Sequence, residues 1–313
     1  MTGKSIPTRA VPDTGGSQAL PYMMVLVAAL IIASNHVLAR YVGGVIPPMG
    51  MVFWRCVVSA VFLLPFALPG LIEHRRLIAQ HWKLFVLMGV LFVPLGNGLI
   101  YTAYTYTTAI NGGVVSASQP ALTVVLVWLL FRETISWKQG IGITIAGLGV
   151  LAIITRGDPL AVLRMDFNIG DLIMLVAITF AALYNVLIRK IPDAIGVPPL
   201  MFVVMVTGVL ATLPVYILET IYIQPVPLSW LSIGSFLWVG IAVTAIAVSL
   251  LNAAIRRIGA NKASMSNYMR ALFTALLAVA LLGEAFETFH LVAMVLVIGG
   301  VYLMTLGRRA PAN

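Results

Sequence analysis

The chain has 313 residues, of which 61% are hydrophobic and only 9% are charged, and its mean hydropathy is +1.04. This composition lies outside the range of soluble globular domains and is typical of membrane proteins. The formal net charge of +9 would suggest a nucleic-acid partner in a soluble protein. Here basic loops between apolar segments account for it, so no nucleic-acid partner is expected.

Ten apolar segments follow one another, each close to the roughly 20 residues that a helix needs to cross a bilayer. They are residues 21–42, 47–69, 82–104, 109–131, 137–155, 170–188, 198–220, 229–251, 263–282 and 287–306. The loops are short, so no independent soluble domain is expected. Residues 1–20 are predicted to be a disordered cytoplasmic tail without a cleavable signal peptide, and residues 307–313 a second cytoplasmic tail. The sequence therefore predicts an all-α integral membrane protein.

Lysine and arginine residues alternate between the two sides of the predicted membrane. They occur before the first segment and after the second, fourth, sixth, eighth and tenth segments, whereas Arg40, Arg156 and Arg164 stand on the other side. Cytoplasmic loops carry an excess of these residues. The pattern predicts that both termini are cytoplasmic and that the protein lies in the cytoplasmic (inner) membrane.

The second half of the chain repeats the first at an offset of about 151 residues. The run ALTVVLVWLLFRE, which ends at Glu133, matches ALFTALLAVALLGE, which ends at Glu284. The repeats are residues 21–155 and 170–306, and an odd number of five segments in each reverses the second one. Glu133 is then predicted at the cytoplasmic face and Glu284 at the external face. Inverted repeats are common in secondary transporters, although a channel could also be built in this way.

With two units of five segments, apolar runs that end in Leu-Phe-Arg-Glu or Leu-Gly-Glu, and a glycine-rich last segment, the chain resembles the EamA-type drug/metabolite transporters. The tract Ser-Ala-Ser-Gln-Pro at 116–120 corresponds to a small-residue stretch that ends in proline in the fourth helix of that family. The resemblance covers about residues 21–306, and the chain is also similar to the YddG-like exporters of aromatic and neutral amino acids. It implies ten transmembrane helices in two inverted repeats that carry amino acids, other metabolites or drugs. Pro120 has Ala271 as its counterpart, so the two half-sites are chemically unequal.

Polar side chains inside the segments are the candidates for a transport site, because an arginine at mid-helix costs about 2.5–3.5 kcal/mol on insertion. Two arginines qualify, Arg55 and Arg270, and no acidic residue lies mid-helix to neutralise them. Polar positions also recur between the repeats, as His36 does with Asn185. The predicted cavity and substrate-binding residues are Asn35, His36, Arg55, Asn97, Tyr101, Tyr104, Ser116, Gln119, Tyr184, Asn185, Trp238, Asn252, Asn267 and Arg270. Any single one could instead bond to a neighbouring helix and be structural.

Pro94 and Pro120 are predicted hinges, because proline removes a backbone hydrogen bond and kinks a helix. All ten acidic residues lie in loops, tails or segment ends, and no phosphate-binding loop is present, so uniport or exchange down the substrate's own gradient is expected. His36 is the only embedded histidine, whereas His74, His81 and His290 are expected to be scattered near loops. No cofactor and no metal site are expected.

We expect a transporter that exports small metabolites, amino acids first, by alternating access through a central cavity. Arginine would bind a carboxylate in bidentate fashion, and tyrosine rings would contact an apolar group. A nucleotide-sugar, drug or other metabolite carrier of the same superfamily, a channel and a lipid flippase are open alternatives. An intramembrane enzyme is disfavoured, because the sequence offers no acid–base pair or metal motif at membrane depth. The expected partners are a small-molecule substrate and membrane lipid, with the chain a monomer or a dimer.

Overall fold

The computed structural model describes residues 19–158, 167–192, 194–251, 254 and 265–306, and this part of the chain is helical without strands. Its apolar helices are α1 (Ala19–Tyr41), α2 (Pro48–Glu73), α3 (Trp82–Ala103), α4 (Ala109–Phe131), α5 (Trp137–Ile154), α6 (Ile169–Leu187), α7 (Val197–Tyr222), α8 (Trp230–Leu251), α9 (Ser266–Leu282) and α10 (Thr288–Leu306). The predicted tails at 1–18 and 307–313 lie outside the described residues, as do positions 263–264 of the ninth segment.

Eight of these helices, α1 to α8, are long and apolar enough to cross a membrane, and α9 and α10 are shorter apolar helices within the described residues. Helix ends fall close to the predicted segment ends, within the usual scatter of such boundaries. Helix α2 is the exception, since it continues through Pro65 and Pro69 to Glu73. Neighbouring helices and local adjustments tolerate proline inside a membrane helix. A short helix, Arg75–Gln80, then leads to α3.

Four helices depart from regular α-geometry, and one of them is α9, whose last residues, Ala278–Leu282, are π-helical. Helix α3 contains a π-helical stretch, Leu91–Gly98, around Pro94, and α8 contains one at Trp238–Ala247 without any proline. Helix α4 breaks at Ser118 into Ala109–Ala117 and Gln119–Phe131, so Pro120 lies in the first turn of the second piece. Proline is well tolerated there, because the N–H it lacks would have no partner in the helix. The irregularities in α3 and α4 coincide with the predicted hinges Pro94 and Pro120, whose movement stays a prediction, whereas those in α8 and α9 do not.

Helices α4 and α9 end in the same backbone conformation. Arg132 closes α4 with φ 55°, and Gly283 closes α9 with φ 65°, both in the left-handed region. Each of these residues immediately precedes the glutamate of its sequence repeat, Glu133 or Glu284. A left-handed residue is a common helix stop, because it lets backbone N–H groups turn back to the last carbonyls. The sequence repeat is thus matched by the local backbone at this point.

Helices pair in corresponding ways in the two halves of the chain. Helix α1 packs against α9 as α6 packs against α4, and α2 packs against α8 as α7 packs against α3. Each of these pairs joins a helix of one half to a helix of the other, and the halves also meet where α2 contacts α7 and where α5 contacts α10. At the α5–α10 contact a Cβ added to Gly142 would lie 2.5 Å from the carbonyl oxygen of Gly300, and the reverse distance is also 2.5 Å. Glycine therefore allows the two backbones to touch, as in other membrane helix pairs.

Candidate functional site

Six of the predicted cavity residues lie together where α1, α2, α3 and α9 converge. We call this group the central cluster: Asn35, His36, Arg55, Tyr101, Tyr104 and Arg270. The Tyr101 hydroxyl donates to Asn35 Oδ1 at 2.6 Å. The Tyr104 hydroxyl is hydrogen-bonded to His36 Nδ1. Asn35 and His36, which are adjacent on α1, are thus hydrogen-bonded to two tyrosines. These tyrosines are three residues apart and therefore lie on one face of α3.

Arg55 and Arg270 are the two charged residues of the central cluster. Arg55 is 3% exposed, and its guanidinium carbon lies 5.5 Å from the centre of the Tyr101 ring, which is cation–π distance. The helical turn that follows Arg270 lies near Tyr104, because a Cβ added to Gly113 would lie 2.9 Å from Thr274 Cγ2 and one added to Gly112 would lie 2.5 Å from the Tyr104 hydroxyl oxygen. Arg55 Nε and Arg270 Nη2 are buried without a hydrogen-bond partner. Within the described residues neither arginine forms a salt bridge with a carboxylate.

The six residues of the central cluster therefore include two positive charges and no carboxylate, and the neighbouring Glu284 contacts Arg40 and the first N–H groups of α4 instead. Arginine stays protonated in proteins, so it cannot relieve burial by losing its proton. A buried charge without a partner is strongly unfavourable. This arrangement favours the binding of an anionic group beside the tyrosines.

Three further predicted residues are interior but make their contacts elsewhere. Asn97 Nδ2 donates to the carbonyl of Phe92 at 2.6 Å, inside the π-helical stretch of α3. The Tyr184 ring lies 4.5 Å from that of Phe92, and its hydroxyl is buried without a partner. Ser116 Oγ lies 3.8 Å from Met174 Sδ. These contacts are between neighbouring helices or within one helix, as structural polar residues make.

The remaining predicted positions differ in their surroundings. Gln119 and Asn267 are half-buried, whereas Asn185 is exposed on α6. The sequence alignment pairs Asn185 with His36, which is buried, so equivalent positions of the two repeats do not have equivalent environments. Asn252 lies outside the described residues.

Trp238 lies in a lateral groove of about 460 Å³ between α1, α8 and α9. It is 46% exposed, and its Nε1 donates to Ser34 Oγ at 3.0 Å. Leucines such as Leu277 and Leu281 form much of the wall. A second groove, of about 770 Å³, lies between the ends of α2, α3 and α7 beside Glu219. Neither groove is lined by residues of the central cluster.

A second buried polar network was not predicted from the sequence. Asp171, in the first turn of α6, is 0% exposed and accepts hydrogen bonds from Thr107 Oγ1 at 2.5 Å and from Asn111 Nδ2 at 3.1 Å. His290 Nε2 lies 3.0 Å from Asn111 Oδ1, and His290 Nδ1 accepts the backbone N–H of Glu287 at 2.8 Å. The expectation that His290 would be an isolated loop-side residue is wrong, because the fold brings the start of α10 against α4.

Glu284 links the start of α4 to the central cluster. Its two carboxylate oxygens accept the backbone N–H groups of Ala109 at 2.7 Å and Ile110 at 3.0 Å. Arg40 Nε lies 3.9 Å from Glu284 Oε1, and Arg40 Nη1 donates to the carbonyl of Tyr104 at 2.9 Å. A carboxylate is favourable here, because the first N–H groups of a helix lack internal partners.

Glu219 plays the same part for α2, since its carboxylate accepts the N–H groups of Met49 at 3.0 Å and Gly50 at 2.8 Å. The available sequence signal was an acidic residue inside the last turns of an apolar segment. That position indicates that the carboxylate has a partner but does not identify it, because Met49 and Gly50 are 170 and 169 residues away from Glu219 in the sequence. Within the described residues no group of three or more His, Cys, Asp or Glu side chains is placed to hold a metal ion.

Comparisons with known proteins find similarity along both halves of the chain. The sequence model of the EamA-like transporter family matches residues 19–155 and 168–306. The chain is 28% identical over 286 residues to the uncharacterized transporter YyaM of Bacillus subtilis (strain 168), covering 90% of this chain and 92% of that protein. It is 25% identical over 295 residues to the uncharacterized transporter YetK of the same organism, covering 93% and 88%. One solved crystal structure, 19% identical, superposes with a TM-score of 0.59 over 93% of this chain and 98% of that one, and so shares the fold.

Proposed function

The chain belongs to the EamA-like transporter family, and from this premise we propose that it exports small carboxylate-bearing metabolites, amino acids first among them. Its apolar helices make it a multi-pass membrane protein, and we place it in the cytoplasmic (inner) membrane. Transport, rather than catalysis, is the proposed activity, and no cofactor takes part. The substrate would bind at the central cluster.

The observation that carries this proposal is the pair of arginines, Arg55 buried and Arg270 half-buried, without a carboxylate partner among the described residues. Arginine binds a carboxylate through two parallel N–H bonds, which gives both strength and orientation. The rings of Tyr101 and Tyr104 and the amide of Asn35 lie beside them and would contact the rest of a small metabolite. A substrate carboxylate would replace the missing counter-charge.

We further propose that ten helices span the membrane as two inverted repeats with both termini in the cytoplasm, and that the repeats rock around the central cluster. The corresponding helix pairs of the two halves and the left-handed residues Arg132 and Gly283 support an internal symmetry. Alternating access in inverted-repeat carriers follows from such motion around a midplane site. Uniport or exchange is the proposed mode, since the buried acids Asp171 and Glu219 already accept hydrogen bonds near helix ends.

The first test is counterflow in proteoliposomes. Vesicles loaded with an unlabelled amino acid should accumulate the labelled compound without a proton gradient. Arg270→Gln should lower this uptake at least about tenfold, because ten-fold corresponds to only about 1.4 kcal/mol and a charge-assisted pair is worth at least this much. Arg75→Gln is the matched control, since it removes an exposed arginine. Equal uptake by the Arg270 variant and the control would refute the assigned role.

A carrier of an amphipathic drug or another metabolite of the superfamily is the runner-up. The lateral groove beside Trp238 favours it, because the groove is apolar and carries few polar atoms at Ser34 and Ser235. Such a site suits a largely hydrophobic ligand. Counterflow of a hydrophobic cation that amino acids do not inhibit would favour this function over the first.

A further inference from the structure

The same pair of residue types occurs on one face of α2 and on one face of α9. In α2, Arg55 is followed one turn later by Ser59, and in α9, Arg270 is followed one turn later by Thr274. Residues four apart lie on the same side of a helix. Ser59 and Thr274 are both 0% exposed. Their hydroxyl oxygens are buried without a hydrogen-bond partner, as are Arg55 Nε and Arg270 Nη2.

Four serine and threonine hydroxyls among the described residues are buried without a partner, those of Ser59, Thr220, Ser235 and Thr274. Of these, only Ser59 and Thr274 lie one turn after an arginine. Other helical threonines bond to the carbonyl four residues earlier, as Thr179 does to Leu175 at 2.8 Å and Thr212 to Gly208 at 2.7 Å. This back-bond is the usual way to satisfy such a hydroxyl. A buried polar atom without a partner costs about 1–3 kcal/mol. Ser59 therefore offers a donor to something other than its own helix, and Thr274 does the same.

Donors dominate at both pairs, because an arginine has no acceptor and a hydroxyl has one hydrogen to give. The group that complements an arginine and a hydroxyl is an oxyanion, which only accepts. Among the described residues no carboxylate pairs with either arginine. Each pair is therefore suited to one carboxylate of a ligand.

Both arginine–hydroxyl pairs lie near one compact region, that of Tyr101 and Tyr104. Arg55 lies over the Tyr101 ring, and Thr274, one turn after Arg270, packs on Gly113 of α4 next to Gly112, which Tyr104 contacts. These two tyrosines are three residues apart, which is about 4.5 Å along a helix axis at 1.5 Å per residue. Asn35 and His36, neighbours in α1, are bonded to the same two hydroxyls. A single small molecule placed along the tyrosines would have an arginine at either end.

We propose that the substrate is a small metabolite with two carboxylates, such as a dicarboxylic acid or an acidic amino acid. One carboxylate binds Arg55 and Ser59, and the other binds Arg270 and Thr274. This inference rests on the proposed function and narrows its substrate class. A substrate with a single carboxylate pairs with one arginine and leaves the other without a counter-charge, which is unfavourable in the interior of a protein.

The test compares ligands that differ only in the second charge. Affinities of glutamate and glutamine, and of succinate and butyrate, are measured with detergent-purified full-length protein at equal ionic strength. Glutamate and succinate, which have two carboxylates, should each bind at least about tenfold more tightly than glutamine and butyrate, which have one. Arg55→Gln and the milder Ser59→Ala should both bring the ratio of glutamate to glutamine affinity towards one. The control Arg75→Gln should leave that ratio unchanged.

The outcomes separate this inference from the function on which it rests. Glutamine binding as tightly as glutamate, or an affinity ratio that survives both the Arg55 and Ser59 variants, overturns the two-carboxylate substrate while leaving a carrier of monocarboxylates in place. Binding of none of the four compounds overturns the two-carboxylate substrate and the carboxylate carrier together. The wild-type comparison needs no variant, so a poorly folding mutant cannot decide the result.

Discussion

At the residue scale, the network of Asp171, Asn111 and His290 has one consistent order of donors and acceptors. His290 Nδ1 accepts the Glu287 N–H, so the ring proton of the neutral histidine lies on Nε2 and is donated to Asn111 Oδ1. The Asn111 amide then donates to Asp171. Because these residues come from α10, α4 and α6, the network joins three helices at their first turns.

This order predicts the effect of exchanging the amide and the acid. Asn111→Asp should destabilise the protein by about 1–3 kcal/mol or more, because two carboxylates then face each other and Asp171 loses a donor. Adding Asp171→Asn should restore most of the loss, since the new Asp accepts from both His290 and the new Asn. Thermal unfolding in detergent of both single variants and the double variant measures the coupling. Additive losses in the double variant would contradict the proposed order.

At the element scale, the contact between α5 and α10 depends on which glycines of α5 face the partner. Gly142 and Gly149 face α10, where an added Cβ would lie 2.5 Å and 2.7 Å from the nearest atom. Gly140 and Gly147 have no atom within 4 Å of an added Cβ. Two of the four glycines of α5 thus lie in the contact with α10, and the other two lie on a surface that no other helix covers closely.

Substituting leucine tests this division within one helix. Gly142→Leu should lower the free energy of unfolding by about 1–3 kcal/mol, because the backbone of Gly300 cannot move aside as a side chain would. Gly140→Leu is the matched control and should be neutral or slightly stabilising, since leucine favours helix more than glycine does. Melting temperatures in the same detergent give the comparison. Similar melting temperatures for the two variants would mean that the contact is not tight.

At the scale of the whole molecule, inverted repeats and cytoplasmic termini make a definite prediction about which loops face outwards. The protein has one cysteine, Cys56, which is buried, so a variant in which it is replaced by alanine is a clean background. In intact cells a membrane-impermeant maleimide should label Tyr106→Cys and Leu228→Cys, both at exposed positions. Ala79→Cys and Ala194→Cys, also exposed, should be labelled only after the membrane is opened. Labelling of Ala194→Cys from outside would contradict the orientation proposed for the second repeat.

The helices themselves were largely predictable, because hydropathy reports directly the length of chain that a bilayer can hold. The continuation of α2 from its predicted end at Pro69 to Glu73 was not, since neighbouring helices support the backbone that proline leaves unsatisfied. At the site, Arg55 and Arg270 could be singled out from the sequence because an embedded charge needs a reason. Asp171 and Glu219 could not, because acids near segment ends look the same whether they face water or a helix N-terminus.

The sequence by itself determined the membrane class, the apolar segments, the internal repeat and the two charges without embedded counter-charges, since each follows from the chemistry of residues taken in order. Only the tertiary structure decided which polar residues meet. It brought Asn35 and His36 to Tyr101 and Tyr104, and left Asn97 bonded to its own helix. The physical reason is that hydrogen bonds require particular atoms within about 3 Å. Helical periodicity specifies a face, whereas helix packing decides what that face contacts.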